Sequence, residues 1–445
     1  MLLAAVLVDP FGEFLPDDDG FAYARSVQYL LHSGEYKLDA WSAANMPVQI
    51  YVAAGLSKVF GYSLDLLKLT TVGMLGVGLA SFYGLARELR AARWTSFAAT
   101  VALLASPLVL LLTFSFQSDV QFMGWLMLAL FLYVRGIRQD SDRLVFLGSL
   151  AAACAIGTRQ LGVAIIGGLM VAWVLARRED RPRLRTLLLA AVIPTVAAAL
   201  QFRSGLQEPT FTQVARLYEQ RVYLEQPPLL LAQEFVWRLA IVLQYVGISL
   251  LPALPLVVAA AAGYIQRSRP RAKRLFQLTI LIGLALCASL LTGSPLTEPW
   301  PRSVHWPWPP LGLEWLLHTW LPPDLVLPID LVGLALATVV GALGVAGLRA
   351  LGPIRRHRPE TILLASIPVI MFGLHLAYPQ LNDTYILSFV PFALLLLVIQ
   401  FRESATLRLA VPATGVALTV ILIVSLMLRA DFAAERTRWA AADRL

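Results

Sequence analysis

Twelve long apolar stretches decide what this 445-residue chain can fold into. They fall at roughly 64–86, 95–113, 119–135, 143–158, 160–177, 184–203, 235–264, 275–293, 325–349, 360–378, 384–401 and 408–429. A helix crosses the hydrocarbon core of a bilayer with about 20 mostly apolar residues. Only 14% of the residues are charged, against about a quarter in soluble domains, so a water-soluble body would lack the polar surface to cover itself. The apolar runs are continuous rather than alternating, which argues against a β-barrel. The expected class is all-α: one polytopic membrane bundle over 1–445 with about 12–13 transmembrane helices.

The basic residues give this bundle an orientation. Arg87/Arg90/Arg93, Arg135/Arg138/Arg143, the run RREDRPRLR at 177–185, RSRPRAKR at 267–274, RALGPIRRHR at 349–358 and Arg402/Arg408 occupy alternate gaps, and hold 22 of the 36 Lys and Arg. By the positive-inside rule these gaps are expected to be cytoplasmic. The opposite side then receives 9–63, 203–234 and 294–324 as its longest loops, with Asp119 and Asp383 at its helix ends. A first span is therefore expected before Asp9. Met1–Val8 covers about 12 Å, too little for a core about 30 Å thick; the expectation is that the start lies downstream of the true one, or that this span is truncated. With no basic n-region and no cleavage site, a signal peptide is a poor reading. The net charge of +8 is explained by this placement and implies no nucleic-acid partner. Cys154 and Cys287 lie in apolar runs and read as small core residues.

The stretch FLPDDDGFAYARSVQYLLHSGEYK, 14–37, places three aspartates on the outer side. Capping of a helix over Phe21–His32 explains one carboxylate, and two remain; like charges packed together are costly unless something cationic or proton-bearing uses them. Ser118-Asp119 and Asp383 each open a further span, where an acidic residue is a functional candidate, and for Asp383 capping is an equal alternative.

From Asp19 onward the sequence resembles the first outer loop of the GT-C glycosyltransferases, especially the group of protein O-mannosyltransferases and lipid A aminoarabinose transferases. Tyr23-Ala24 follows Asp19 by four residues, Ser33-Gly34-Glu35-Tyr36 closes the helix, and the Pro-led MPVQIYVAAGLSKVFGYSLDLLKL leads into the next span. SDVQFMGWLMLALFLYVRG, at 118–136, is similar to the family's acidic start of its fourth span. TRQLG, at 158–162, is similar to its Thr-Lys/Arg turn, and NDTYILSFVPFALLLL to its late Asp-Arg-Tyr span. The resemblance runs over most of the chain and is specific mainly within 17–165. One departure is that the family's second acidic residue falls at Gly20, while Asp18 lies on the other side of Asp19.

The resemblance implies a GT-C-like bundle with interfacial helices in the first outer loop. It also implies transfer of a sugar from a polyprenyl-phosphate donor to a glycan, lipid or protein acceptor, inverting, on the extracytoplasmic face of a membrane. The Arg- and Ala-rich composition hints at a GC-rich bacterium, hence its inner membrane. Inversion needs a base for the acceptor proton, with Asp19 the first candidate, then Asp18 and Asp119. The departing lipid phosphate needs positive charge. Arg159, a lone Arg at an outer helix junction, is the leading candidate, with snorkelling an equal alternative; Lys37 and Arg25 follow. Tyr23, Asp383, Tyr385 and Trp306 are the substrate-binding candidates. A divalent metal, held by Asp19 and Asp119, is possible but unsigned, since His305, His318 and His375 show no ligand spacing; His375 reads first as a satisfied core histidine. Trp300, Trp306, Trp308 and Trp315 read first as an interfacial aromatic belt, and YEQRVYLEQPP at 218–228 as a site cover or a solvated loop helix. A transporter or flippase for lipid-linked sugars is the main rival; such proteins place charges in mid-span on broken, paired helices.

Overall fold

The structure is a computed structural model that describes residues 2–12, 14–15, 18–42, 44–176, 182–207, 209–267, 270, 273–274, 276–278, 280–281, 285, 332–333, 335–343, 358–376, 383–400 and 407–442. No strand occurs among them. The protein is an all-α membrane protein. Among the described residues, five helices are long and apolar enough to cross a membrane, or up to seven if each of two bent pairs counts as one span. The expected spans at 275–293 and 325–349 lie largely outside the described residues.

The first outer loop carries two helices, α2 (Asp18–Ser33) and α3 (Pro47–Phe60), after a short α1 (Leu2–Val8). The long helix α4 (Leu64–Glu88) follows, capped by Ser63, whose side chain accepts from the Leu66 N–H. The expected span at 95–113 is two helices, α5 (Arg93–Leu104) and α6 (Pro107–Thr113), bent by 58°. Pro107 supplies no N–H to the helix before it and disfavours helical backbone at Ser106, so the break falls there. The next helices are α7 (Ser118–Arg138), α8 (Asp142–Thr158), α9 (Ala164–Leu175), α10 (Leu184–Gln207), α11 (Phe211–Leu224), α12 (Pro228–Ser249) and α13 (Leu254–Arg267). The expected continuous span at 235–264 also breaks, by 54°, at the 3-10 turn Leu251–Ala253 that contains Pro252. The C-terminal part holds α14 (Pro359–Leu376), the short α15 (Asp383–Ile386), a 3-10 turn Leu387–Phe389, α16 (Val390–Gln400) and α17 (Leu407–Ala442).

Small residues set the spacing at the centre of the bundle. A Cβ on Gly124 of α7 would lie 2.5 Å from the Met74 carbonyl oxygen of α4. The two backbones therefore meet directly, the contact that small residues permit between membrane helices. Around this pair α8 packs on α7, α10 on α8, α14 on α9 and α17 on α5, enclosing one core from Leu75 and Phe82 to Leu397 and Val398. Arg138 joins three helices at one end of the bundle, pairing with Glu360 at 3.1 Å and Glu88 at 3.8 Å. The same end holds a small cleft walled by Tyr133, Leu169, Trp173 and Leu363.

Candidate active site

The carboxylate-bearing helix is longer than its sequence suggests. It starts at Asp18 rather than Phe21, so Asp19 sits inside the first turn instead of capping it. An acidic residue there is favoured by the exposed N–H groups and the helix dipole. Ala22, Tyr23, Ser26, Val27 and Leu30 recur at helical spacing and are buried, packing against Ile50, Ala53 and Ala54 of α3. Each large apolar side chain in that seam contributes about 1.5–3 kcal/mol. The stem before α2 is clamped as well. Lys68 of α4, fully buried, donates to the carbonyls of Pro10 at 2.7 Å and Gly12 at 3.0 Å. Its ammonium pairs with Asp65 at 2.8 Å and lies 4.5 Å from the Phe14 ring centroid, while Asp65 accepts from the Gly12 N–H at 2.8 Å.

Arg159 is placed by a break between helices. It takes extended backbone, φ −147 and ψ 134, between the end of α8 and the 3-10 turn Gln160–Val163 that leads into α9. The Gly162 N–H donates to the Arg159 carbonyl at 2.9 Å. A Cβ on Gly162 would stand 2.8 Å from the Ile156 nitrogen, so only glycine lets the turn fold this close to α8. The Arg159 side chain is 14% exposed. Its Nη1 pairs with Asp119 Oδ1 at 2.7 Å and its Nε donates to Ser118 Oγ at 2.9 Å. Both partners lie in the first turn of α7. The Tyr385 ring centroid lies 4.7 Å from the guanidinium carbon. Asp119, Tyr385, Tyr23 and Asp19 all act electrostatically on this one guanidinium.

Three of the sequence candidates thus meet, Asp119, Arg159 and Tyr385, and two more, Asp19 and Tyr23, lie within electrostatic reach of Arg159. Two others are elsewhere. Arg25 turns to the loop after α2, pairing with Asp39 at 3.3 Å and donating to Tyr29 Oη at 3.1 Å. Lys37 stays exposed in that loop. Asp18 and Asp383 begin α2 and α15, with side chains outside the described residues. Trp306, Asp17, His305, His318, Cys287, the other tryptophans of that loop and the whole of 294–324 also lie outside them.

Asp119 Oδ1 is committed to Arg159 at 2.7 Å, and no group of three His, Cys, Asp or Glu side chains converges among the described residues.

Two neighbours, Ser118 and Arg238, escaped the sequence reading as site residues, and a third, His375, differs from its expectation. Ser118 anchors Arg159. His375 is buried, stacked 5.6 Å from Tyr385 at 16°, yet its Nε2 has no hydrogen-bond partner among the described residues, so it is not the satisfied core histidine expected. Arg238 of α12, 2% exposed, donates to the His375 carbonyl at 3.0 Å and sits 4.7 Å from the Tyr223 ring centroid. An Arg inside an apolar run was the available signal for it, since charges there are costly and mark functional positions.

No protein-family model matches the chain, and no curated protein matches it. Among solved structures, it is similar to ArnT from Cupriavidus metallidurans bound to undecaprenyl phosphate. The identity is 14%, the match covers 90% of this chain and 75% of that one, and the TM-score is 0.42. For the apo state of the same protein the values are 15%, 88%, 76% and 0.39. It is also similar to the archaeal oligosaccharyltransferase AglB from Archaeoglobus fulgidus, in complex with an inhibitory peptide and a dolichol-phosphate. Here the identity is 14% and the TM-score 0.49; the match covers 97% of this chain and 55% of that one, so the chain spans about half of that enzyme's length.

Proposed function

We propose that the protein is a GT-C-type glycosyltransferase that moves a hexose or pentose from a polyprenyl-phosphate donor to a glycan, lipid or protein acceptor at the extracytoplasmic face of a membrane. The observation that carries this reading is the Arg159 guanidinium at one end of a helical membrane bundle, paired with Asp119 and set against the Tyr385 ring, with Asp19 and Tyr23 in electrostatic reach. A cation paired with one carboxylate, with a second carboxylate in electrostatic reach, supports this reading. The basic gaps of the sequence support the extracytoplasmic assignment.

The donor's tail lies in the bilayer and its phosphosugar at the interface. The acceptor's hydroxyl or amine attacks the anomeric carbon from the face opposite the phosphate, and inversion follows. As the new bond forms, the carbon–oxygen bond to the phosphate breaks and its electron pair leaves with the lipid phosphate. Asp19 takes the acceptor's proton as general base. Arg159 stabilises the departing phosphate. A guanidinium carries five N–H donors, and the contacts with Ser118 and Asp119 do not exhaust them. Asp119 holds the fork in place, and Tyr385 lies against its face.

The test is an assay of membranes holding the full chain, with a panel of polyprenyl-phosphate sugars, comparing the native protein with Asp19→Asn. Transfer is expected to vanish in the variant while its abundance stays the same. Equal sugar transfer from both would overturn the reading.

A further inference from the structure

Helix α11 is amphipathic in the opposite sense to a helix on a water-soluble protein. Phe211, Val214, Leu217, Tyr218 and Val222 recur at helical spacing and are all turned outward, 47–71% exposed. Glu219 and Gln220 are half-buried and Tyr223 is 6% exposed, so polar positions face the protein. The orientation is fixed at both ends. Thr210 caps the helix in a reciprocal box with Gln213, and its hydroxyl donates to the Ser42 carbonyl at 2.7 Å. At the other end Tyr223 lies against Arg238. Trp41 of the first outer loop extends the apolar stripe, itself 67% exposed and 5.9 Å from the Phe211 ring.

We infer that α11 lies in the plane of the membrane, with its apolar stripe seated in the leaflet at the site's end of the bundle and its polar side forming a wall beside the site. The occupant of the stripe is the lipid bilayer, and continuity with the membrane-facing surface argues for it. α11 begins four residues after α10 ends at Gln207, and α10 carries its own outward row of Leu188, Val192, Val196 and Leu200. The chain therefore enters α11 where a spanning helix leaves the hydrocarbon. An amphipathic helix at that depth buries its apolar face at the headgroup–acyl boundary. Arg221 and Glu225 pair at 3.0 Å near its C-terminal end, where long charged side chains reach the headgroups. The polar side reaches toward the site through Tyr223, Arg238 and the carbonyl of His375, whose ring stacks on Tyr385.

The test needs no substrate, so its outcome is separate from that of the proposed transfer. In full-length protein with Cys154→Ala and Cys287→Ala, single cysteines at Val214, Tyr218, Gln220 and Lys37 are spin-labelled after reconstitution into phosphatidylethanolamine–phosphatidylglycerol nanodiscs. Collision with oxygen, which concentrates in lipid, is compared with collision with a water-soluble nickel chelate. The oxygen-to-nickel ratio at Val214 and Tyr218 is expected to be several-fold above that at Lys37, with Gln220 shielded from both reagents. Ratios at Val214 and Tyr218 equal to that at Lys37 would overturn the inference, whether water or another protein chain covers the stripe. So would a lipid-exposed Gln220, which would mean that the helix lies on its other face.

Discussion

Arg159 and Asp119 meet at 2.7 Å although 40 residues separate them, one at a break between two helices and the other in the first turn of a third. The pair fixes the end of α8 to the start of α7. Asp119 is 2% exposed, so the two charges depend on each other for solvation.

Removing the cation alone should therefore cost more than removing both charges. Breaking a buried pair from one side costs about 3–5 kcal/mol because it strands a charge. Arg159→Ala is expected to lower the unfolding free energy in detergent micelles by about that amount. The double variant Arg159→Ala/Asp119→Ala should recover part of the loss. Additive losses in this cycle would show that the pair is not coupled.

Much of this arrangement was legible in the sequence. The apolar periods gave α4, α7, α10, α14 and α17 to within a few residues, apart from the longer C-terminal end of α17. Lone charges at helix ends singled out Asp119 and Arg159. The breaks at Pro107 and Pro252 were missed because a run's mean hydropathy carries no information on direction. Arg25 and Lys37 were plausible cations by position, but the partner of a side chain is a tertiary fact: Asp39, at 3.3 Å, claims Arg25. Lys68 and Arg238 were hidden by length, since one charge barely alters the average over a span of more than 20 residues.

The turn that presents Arg159 should be intolerant of even a methyl group. In Gly162→Ala the new Cβ would meet the backbone of Ile156 at 2.8–2.9 Å, which no side-chain rotation relieves. Overpacking of this kind costs about 1–3 kcal/mol, and the shift it forces moves Arg159. Gly73 of α4 has nothing within 4 Å of its Cβ position, so Gly73→Ala should be neutral or stabilising by up to about 1 kcal/mol. Thermal unfolding of the two variants side by side checks this, and equal effects would contradict it.

Lys68 is expected to act on the site at a distance. Its ammonium ties Pro10 and Gly12 to α4 a few residues before the acidic helix starts. Lys68→Met keeps the stem's bulk and leaves two carbonyls and Asp65 without their cation, at about 1–3 kcal/mol for the stranded groups. Hydrogen exchange should accelerate at Gly12, whose N–H bonds Asp65, and in the first turn of α2, while the centre of α7 stays protected. Faster exchange spread evenly over the bundle would indicate general destabilisation instead.

The loop between α2 and α3 carries an alkaline sensitivity. Burial raises the Tyr36 phenol well above its ordinary value near 10; a hydrogen bond from the Met46 backbone opposes this, and Tyr51, stacked at 5.6 Å, adds to it. The neutral phenol donates to Asn45 Oδ1 at 2.5 Å. A phenol whose folded value is raised gives up its proton more readily in the unfolded chain, so unfolding releases protons at high pH. Its contribution is present in full below about pH 10 and is lost progressively as pH rises from there through the raised folded value. Unfolding midpoints should thus fall on the alkaline side more steeply for the native chain than for Tyr36→Phe, which cannot ionise. At neutral pH the native chain is the more stable of the two, because Tyr36→Phe loses a hydrogen bond worth about 0.5–1.5 kcal/mol. The two curves of stability against pH are expected to converge above about pH 10. Parallel curves from neutral to alkaline pH would show that Tyr36 ionises as easily in the folded protein as in the unfolded one.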